Sequence, residues 1–112
     1  MSAGYSNIII ESGATFSVTM DLTDSAGTAI NLTGFTGTAK IRRSYYSDFD
    51  VYSLTVSVSS PPTSGRIILS ATAVETAAMK PNRYVYDVEL TSGTTVNRIV
   101  EGIAEVRPNA TR

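Results

Sequence analysis

Cysteine, histidine and tryptophan are all absent from this sequence. Without cysteine there is no disulfide framework and no thiolate nucleophile, and without histidine a Ser-His-Asp triad, a Cys-His dyad and a histidine-ligated metal are excluded. Charge is sparse and balanced, because nine basic residues stand against ten acidic ones for a net charge of −1. We therefore expect no nucleic-acid partner, since proteins that bind nucleic acids present an excess of positive charge.

The N-terminal stretch MSAGYSNIII also lacks the features of a targeting segment. It has no basic region and only three consecutive apolar residues, which argues against a signal peptide and against a membrane span. We expect a protein that is made in a cytoplasm and has no membrane partner.

The residues that are present are typical of one all-β domain. A length of 112 residues fits a single domain, 1–112, and 42% hydrophobic residues can supply a core. Serine and threonine together number 29. Threonine is common in strands and serine in turns, so this composition favours a β-rich protein.

Alternation of apolar and polar residues predicts the strands. Short apolar runs or period-two patterns occur in SNIII, ATFSVTMDL, FTGTAKIR, LTVSV, RIILSA, RYVYDVEL and VNRIVEGIAEV. Turn residues separate these segments and helices do not alternate with them, so we predict a two-sheet β-sandwich of about seven short strands.

Two glycines interrupt the predicted strands. Gly37 predicts either the close approach of a bulky neighbour or a bulge. Gly102 predicts a kink in the last strand. Val100 is expected to face the core before the kink, and Ile103 is expected to face it afterwards.

One short helix is predicted near residues 73–79. Thr72 and Glu75 have the spacing of a capping box, in which each side chain binds a free amide at the start of the helix. Pro81 is expected to stop the helix. The apolar residues after the cap favour one or two turns with an apolar face.

The stretch KPNRYVYDVEL predicts a structural role for two tyrosines. Tyr84 and Tyr86 share the inner face of the strand, and a tyrosine at such a corner can bury its ring and bind upstream backbone, as in immunoglobulin-type folds. Asp87 and Glu89 lie on the opposite face. We interpret them as solvated acids, and the alternative is an interface role in which they contact Arg83, Arg98 or a basic residue of a partner.

The stretch RSYYSDFDVY is irregular and concentrates aromatic residues in a predicted exposed loop. The interface candidates of this region are Arg43, Tyr45, Tyr46, Phe49 and Tyr52. Exposed aromatic rings in a loop can anchor a protein partner or stack on sugars, and the alternative is that they pack on the rim of their own domain.

The sequence offers no convincing catalytic or metal site. Asp48 and Asp50 of SDFD lack the glycine and the ligand spacing of a calcium loop, so a solvated loop is preferred. Carboxylate pairs remain on strand faces, away from any evident cleft. We expect a protein that is not an enzyme and that needs no cofactor or metal.

Two long stretches carry a family resemblance. DLTDSAGTAINLTGFTGTAKIR, the step GRIILSATAVET, RYVYDVEL and the closing EGIAEVRP together resemble small immunoglobulin-like modules of tailed-bacteriophage virions. The nearest of these is the N-terminal domain of phage baseplate upper proteins. The resemblance covers nearly the whole chain apart from residues 44–53. Baseplate proteins of this type usually continue into further domains, whereas this sequence stops at Arg112.

The resemblance implies an immunoglobulin-like fold and a structural role in the virion. Such a module is expected to dock on other phage virion proteins in several symmetric copies, or as a homo-oligomer. It would serve as an adaptor in the tail, neck or baseplate, or as a decoration on the capsid. Residues 43–52 and the chain ends are the expected contacts. The alternative function is a carbohydrate-binding or host-attachment module that uses the tyrosine-rich loop 45–52.

Overall fold

The computed structural model describes residues 4–46 and 51–110 and shows an all-β sandwich. Eight strands, one helix and one 3₁₀ turn at Pro62–Ser64 occur in these residues. The strands and the helix are β1 Gly4–Tyr5, β2 Ile8–Glu11, β3 Phe16–Asp21, β4 Thr36–Arg42, β5 Tyr52–Val58, β6 Arg66–Ala71, α1 Ala73–Ala77, β7 Asn82–Ser92 and β8 Thr95–Arg107.

The strands follow the order β1-β8-β7-β4-β5-β6-β3, with β2 also paired to β8. The sheet curls into two layers because β5 changes partner along its length. Tyr52–Leu54 pair with β4, whereas Thr55–Val58 pair with β6. Only β1 and β2, which both pair with β8, run parallel to their neighbour among the paired strands described. This Greek-key arrangement is immunoglobulin-like, and β7 and β8 are longer than the short strands predicted.

The core is formed by the inner-face residues that the alternation predicted. Tyr84, Tyr86, Val88 and Leu90 of β7 are all buried, which confirms the predicted face of that strand. Gly37 stays in register with Leu90, so it is not a bulge. A Cβ atom at Gly37 would lie 2.3 Å from Cγ1 of Val56, which confirms the predicted close approach of a bulky neighbour.

Helix α1 begins with the predicted capping box. The amide of Glu75 donates to the Thr72 hydroxyl at 3.1 Å, and the amide of Thr72 donates to the Glu75 carboxylate at 2.8 Å. The helix is shorter than predicted, because it ends at Ala77 and the chain has left the helix before Pro81. Its buried side chain is Thr76, whose hydroxyl donates to the carbonyl of Ala14 at 2.8 Å and so ties the helix to the start of β3.

The tyrosine corner is present where the sequence predicted it. The Tyr84 hydroxyl donates to the carbonyl oxygen of Lys80, four residues upstream. Tyr52 joins this corner, with its ring perpendicular to that of Tyr84 at a centroid distance of 5.8 Å and its hydroxyl accepting the amide of Lys80 at 3.2 Å. The corner therefore fixes the turn from α1 into β7.

The predicted kink at Gly102 is wrong. The irregularity lies three residues earlier, because Val88 pairs with Val100 and Glu89 pairs with Arg98, which leaves Ile99 as the extra residue. Ile99 and Val100 are both buried, and the half-buried Ile103 does not replace them in the core.

The absence of a side chain at Gly102 has a different cause, because the N-terminal segment crosses directly over this residue. A Cβ atom at Gly102 would lie 2.1 Å from the carbonyl oxygen of Ser6. The same Ser6 carbonyl oxygen accepts a hydrogen bond from the Tyr86 hydroxyl. The Ser6 amide donates to the backbone carbonyl oxygen of Glu101 at 2.9 Å. The missing side chain thus lets the chain start lie flat on β8 and reach the Tyr86 hydroxyl.

Candidate functional site

The candidate site is a groove on the outer face of β4, β7 and β8, bordered by the residues that follow β4. It has a volume of about 550 Å³. Its walls combine two tyrosine rings with a row of charged side chains. Six of the residues that line the groove form a surface that we call the docking face: Lys40, Tyr45, Tyr46, Asp87, Arg98 and Glu101.

Strand register brings the charged side chains of the docking face together. Lys40 lies opposite Asp87, and Asp87 lies opposite Glu101, so β4, β7 and β8 each place one charge in the same cross-strand row. Residues directly opposite each other on neighbouring strands have Cβ atoms about 5 Å apart. Alternation along each strand directs these three side chains away from the core.

Arg98 forms ion pairs with both carboxylates of the docking face. Its Nε lies 3.2 Å from Oδ2 of Asp87, and its Nη1 lies 3.9 Å from Oε2 of Glu101. The Asp87 side chain is 21% exposed, so it lies on the outer face as predicted, but it is paired with Arg98 rather than fully solvated. Lys40 donates from Nζ to the Ser53 hydroxyl at 2.7 Å. The face therefore offers polar groups with little net charge.

The two tyrosines of the docking face differ in their exposure to solvent. Tyr45 is 50% exposed and Tyr46 is 97% exposed. Partial burial raises the pKa of Tyr45, and the negative charges of Glu101 and Asp87 raise it further. The Tyr45 hydroxyl is therefore protonated at neutral pH, while the Tyr46 ring extends into solvent.

The predicted interface residues do not form one cluster. Arg43, Tyr45 and Tyr46 are exposed, as expected of a surface loop, whereas Phe49 lies outside the described residues. The prediction that Tyr52 belongs to the exposed loop is wrong. Tyr52 is half-buried and packs in the tyrosine corner, because β5 begins at this residue, before the predicted strand LTVSV.

Sequence reasoning missed Lys40 and Glu101 as members of the site. Their neighbours in the chain showed only that each points outward. Their proximity to Asp87 depends on the register of three strands, and β8 is shifted by the bulge at Ile99. Arg98 was proposed only as one of several partners for Asp87.

The described residues do not provide a metal centre. Within 4–46 and 51–110, no three histidine, cysteine, aspartate or glutamate side chains come together. The candidate calcium ligands Asp48 and Asp50 lie outside these residues, and so do the extreme chain ends, 1–3 and 111–112. No helix in the described part of the chain is long and apolar enough to cross a membrane.

Comparison with known proteins gives no family. No family model matches the chain, and no curated protein matches it. Solved structures with a similar arrangement include InlP of Listeria monocytogenes, with 17% identity and a TM-score of 0.45 over 96% of this chain. Murine CRIg has 12% identity and a TM-score of 0.43 over 92% of both chains.

A third similar structure is a family 123 glycoside hydrolase from Clostridium perfringens, with 10% identity and a TM-score of 0.43. It covers all of this chain, which spans 24% of the hydrolase and 27% of the InlP chain. Similarities at this level carry no information on function.

Proposed function

We propose that this chain is a structural module of a tailed-phage virion that docks on other virion proteins through the docking face. The observation that carries the proposal is the pair of exposed rings beside the groove, since Tyr46 is 97% exposed and Tyr45 is half-exposed. Exposed tyrosines beside a polar groove are typical anchors of protein interfaces. The resemblance of the sequence to virion modules supplies the kind of partner.

The electrostatics of the face favour a partner protein. The guanidinium of Arg98 already lies between Asp87 and Glu101, so a partner does not have to neutralise an isolated charge when it covers them. Unpaired buried charges are costly in an interface, whereas satisfied ones form a tolerable rim around aromatic anchors. The groove therefore suits a protruding loop of a second protein more than a small charged ligand.

The test is the double variant Tyr45→Ser/Tyr46→Ser, introduced into the phage gene. Both rings are largely exposed, so the free energy of unfolding should change by less than about 0.5 kcal/mol per site, while incorporation into particles should fall sharply. Val74→Ser is the matched control, because Val74 is an apolar side chain that is 81% exposed on α1, away from the docking face. Undiminished incorporation of the folded double variant would remove the docking face from the interface.

A carbohydrate-binding or host-attachment module is the second candidate. The supporting observation is the groove itself, whose volume of about 550 Å³ is within the range of small-ligand sites and which sets tyrosine rings beside carboxylate and guanidinium groups. A glycan-array measurement on the isolated domain separates the two proposals. Binding that the double variant loses would favour the sugar. No binding, together with loss of incorporation, would favour the virion partner.

A further inference from the structure

The edge of β3 is an open row of backbone hydrogen-bonding groups. The Leu22 amide donates to Gly65 at 2.7 Å, which continues the antiparallel register of β3 with β6. On the other side of β6, the Ser59 amide donates to Arg66 at 2.9 Å. Antiparallel pairs alternate between bonded and non-bonded residues, so the even-numbered residues of β3 bind β6. The odd-numbered residues Ser17, Thr19 and Asp21 direct their amides and carbonyls outward.

No described part of the chain covers this edge. Strands β1 and β2, which could have paired with β3, both pair with β8 instead. Two open grooves, of about 440 and 410 Å³, separate β3 from β1 and from β2. Val18 and Met20, on the inner face of β3, are only partly buried as a result.

The β3 edge also lacks the devices that protect free edges from pairing. Proteins usually place lysine, proline, a bulge or a very short strand at such an edge. The six residues FSVTMD of β3 contain neither lysine nor proline, and their register with β6 is unbroken. The single charge, on Asp21, is paired with Nε of Arg66 at 2.8 Å. By contrast, β1 and β2 are only two and four residues long.

We propose that β3 pairs antiparallel with β3 of a second copy of this chain, about a two-fold axis at Thr19. This register places Thr19 opposite Thr19 and Ser17 opposite Asp21, so all three outward-facing residues of each copy are paired. Each such pair exchanges two backbone bonds, which gives about six new hydrogen bonds.

Side-chain chemistry favours this register and a second copy as the partner. Asp21 would lie beside the Ser17 hydroxyl of the other copy, which can donate to its carboxylate. An axis at Asp21 would instead bring the two Asp21 carboxylates together, which is repulsive. On the inner face, Val18 would lie opposite Met20, and each partly exposed side chain would be covered by the other copy. The sequence of the edge is therefore complementary to itself.

The dimer is independent of the proposed docking function, because it uses another layer of the sandwich. The docking face lies on β4, β7 and β8, whereas the proposed contact is made by β3 at the edge of the layer that contains β6. Both surfaces can be occupied at once, so the dimer would present two docking faces related by the two-fold axis.

Charge substitution at the axis tests the dimer. Thr19→Lys places like charges directly across the axis, where Cβ atoms are about 5 Å apart, and should weaken dimerisation at least about tenfold. Thr19→Glu should do the same, and an equimolar mixture of the two variants should form heterodimers. Ser57→Lys is the matched control, because Ser57 and Thr19 both pair with Ile68 and lie in the same outer row, but Ser57 belongs to β5, on the opposite side of β6 from the proposed contact.

Sedimentation velocity from about 10 µM to about 1 mM measures these equilibria. Wild type, Ser57→Lys and the Tyr45→Ser/Tyr46→Ser variant should all dimerise. A wild type that stays monomeric over this range, dimerisation that Thr19→Lys leaves unchanged, or a mixture that stays monomeric would overturn the proposal. If the Tyr45→Ser/Tyr46→Ser variant still dimerises but is no longer incorporated into particles, the dimer contact and the docking face are separate surfaces.

Hydrogen exchange on the wild type provides a measurement that does not depend on the folding of any variant. The amides of Ser17, Thr19 and Asp21 should become protected as the protein concentration rises, while those of Val18 and Met20 should be protected throughout. Equal exchange of the odd-numbered amides at low and high concentration would contradict the proposed pairing.

Discussion

Gly102→Ala is expected to be among the most damaging single-methyl additions in this protein. The new Cβ atom would lie 2.1 Å from the Ser6 carbonyl oxygen and 2.8 Å from its carbonyl carbon. Both atoms are backbone, so no side-chain rotation can relieve the overlap. The N-terminal segment must therefore move away from β8.

The magnitude follows from the bonds that hold this segment. Movement would break the bond from the Ser6 amide to Glu101 at 2.9 Å and that from the Ile103 amide to Oδ1 of Asn7 at 3.0 Å. Each is worth about 1 kcal/mol net. The Tyr86 hydroxyl would lose its acceptor, and a buried donor left unpaired costs about 1–3 kcal/mol. We expect a total loss of about 3–5 kcal/mol, which is a large part of the stability of a small domain.

Urea denaturation followed by far-UV circular dichroism measures this loss. Gly4→Ala is the matched control in the same crossing region, because its Cβ would meet nothing closer than the Ile99 carbonyl oxygen at 3.6 Å. It should stay within about 0.5 kcal/mol of the wild type. If Gly102→Ala were equally mild, the N-terminal segment would not lie across β8 as described.

Two further expectations concern Tyr86 and its neighbour. In urea denaturation, Tyr86→Ala should lower the free energy of unfolding by about 3–5 kcal/mol, because a buried aromatic ring is lost. Asp87→Ala should lower it by no more than about 1 kcal/mol, because this change breaks a partly exposed ion pair. The reverse order would contradict the described faces of β7. Burial raises the pKa of Tyr86 from 10.0 to about 12. Folding thus holds the Tyr86 proton more tightly, so the resulting stabilisation is complete below pH 10 and is lost as the pH rises towards 12, by about 1–3 kcal/mol. Alkaline unfolding of Tyr86→Phe should lack this part of the decline, and an unchanged pH profile would show that another group causes it.

Features encoded by residues close in sequence were predictable. The capping box of Thr72 and Glu75 depends on a spacing of three residues, and the tyrosine corner links Tyr84 to Lys80 only four residues away. The buried face of β7 followed from its alternation. In each case the physical cause lies within one turn or one strand, so the sequence contains all the information needed.

Features that depend on distant pairing were not predictable. Gly102 was interpreted as a kink because glycine weakens a strand, but its cause is the Ser6 backbone, which comes from the other end of the chain. The docking face was predicted only in part for the same reason, since Lys40 and Glu101 meet Asp87 through strand register. Tyr52 shows the complementary error, in which an aromatic residue next to a polar loop belonged to the following strand.

The parallel pairing of β1 and β2 with β8 has a mechanical consequence. Gly4 lies beside Val100 and Glu11 beside Arg107, so the first and last strands run in the same direction and their outer ends point to opposite poles of the sandwich. Tension applied between Gly4 and Arg107 would pull these strands past each other along their length. All the hydrogen bonds between them would then be loaded together, whereas pulling at one end of a hairpin opens its bonds one after another. A module attached at both poles would therefore transmit tension through the fold before it yields.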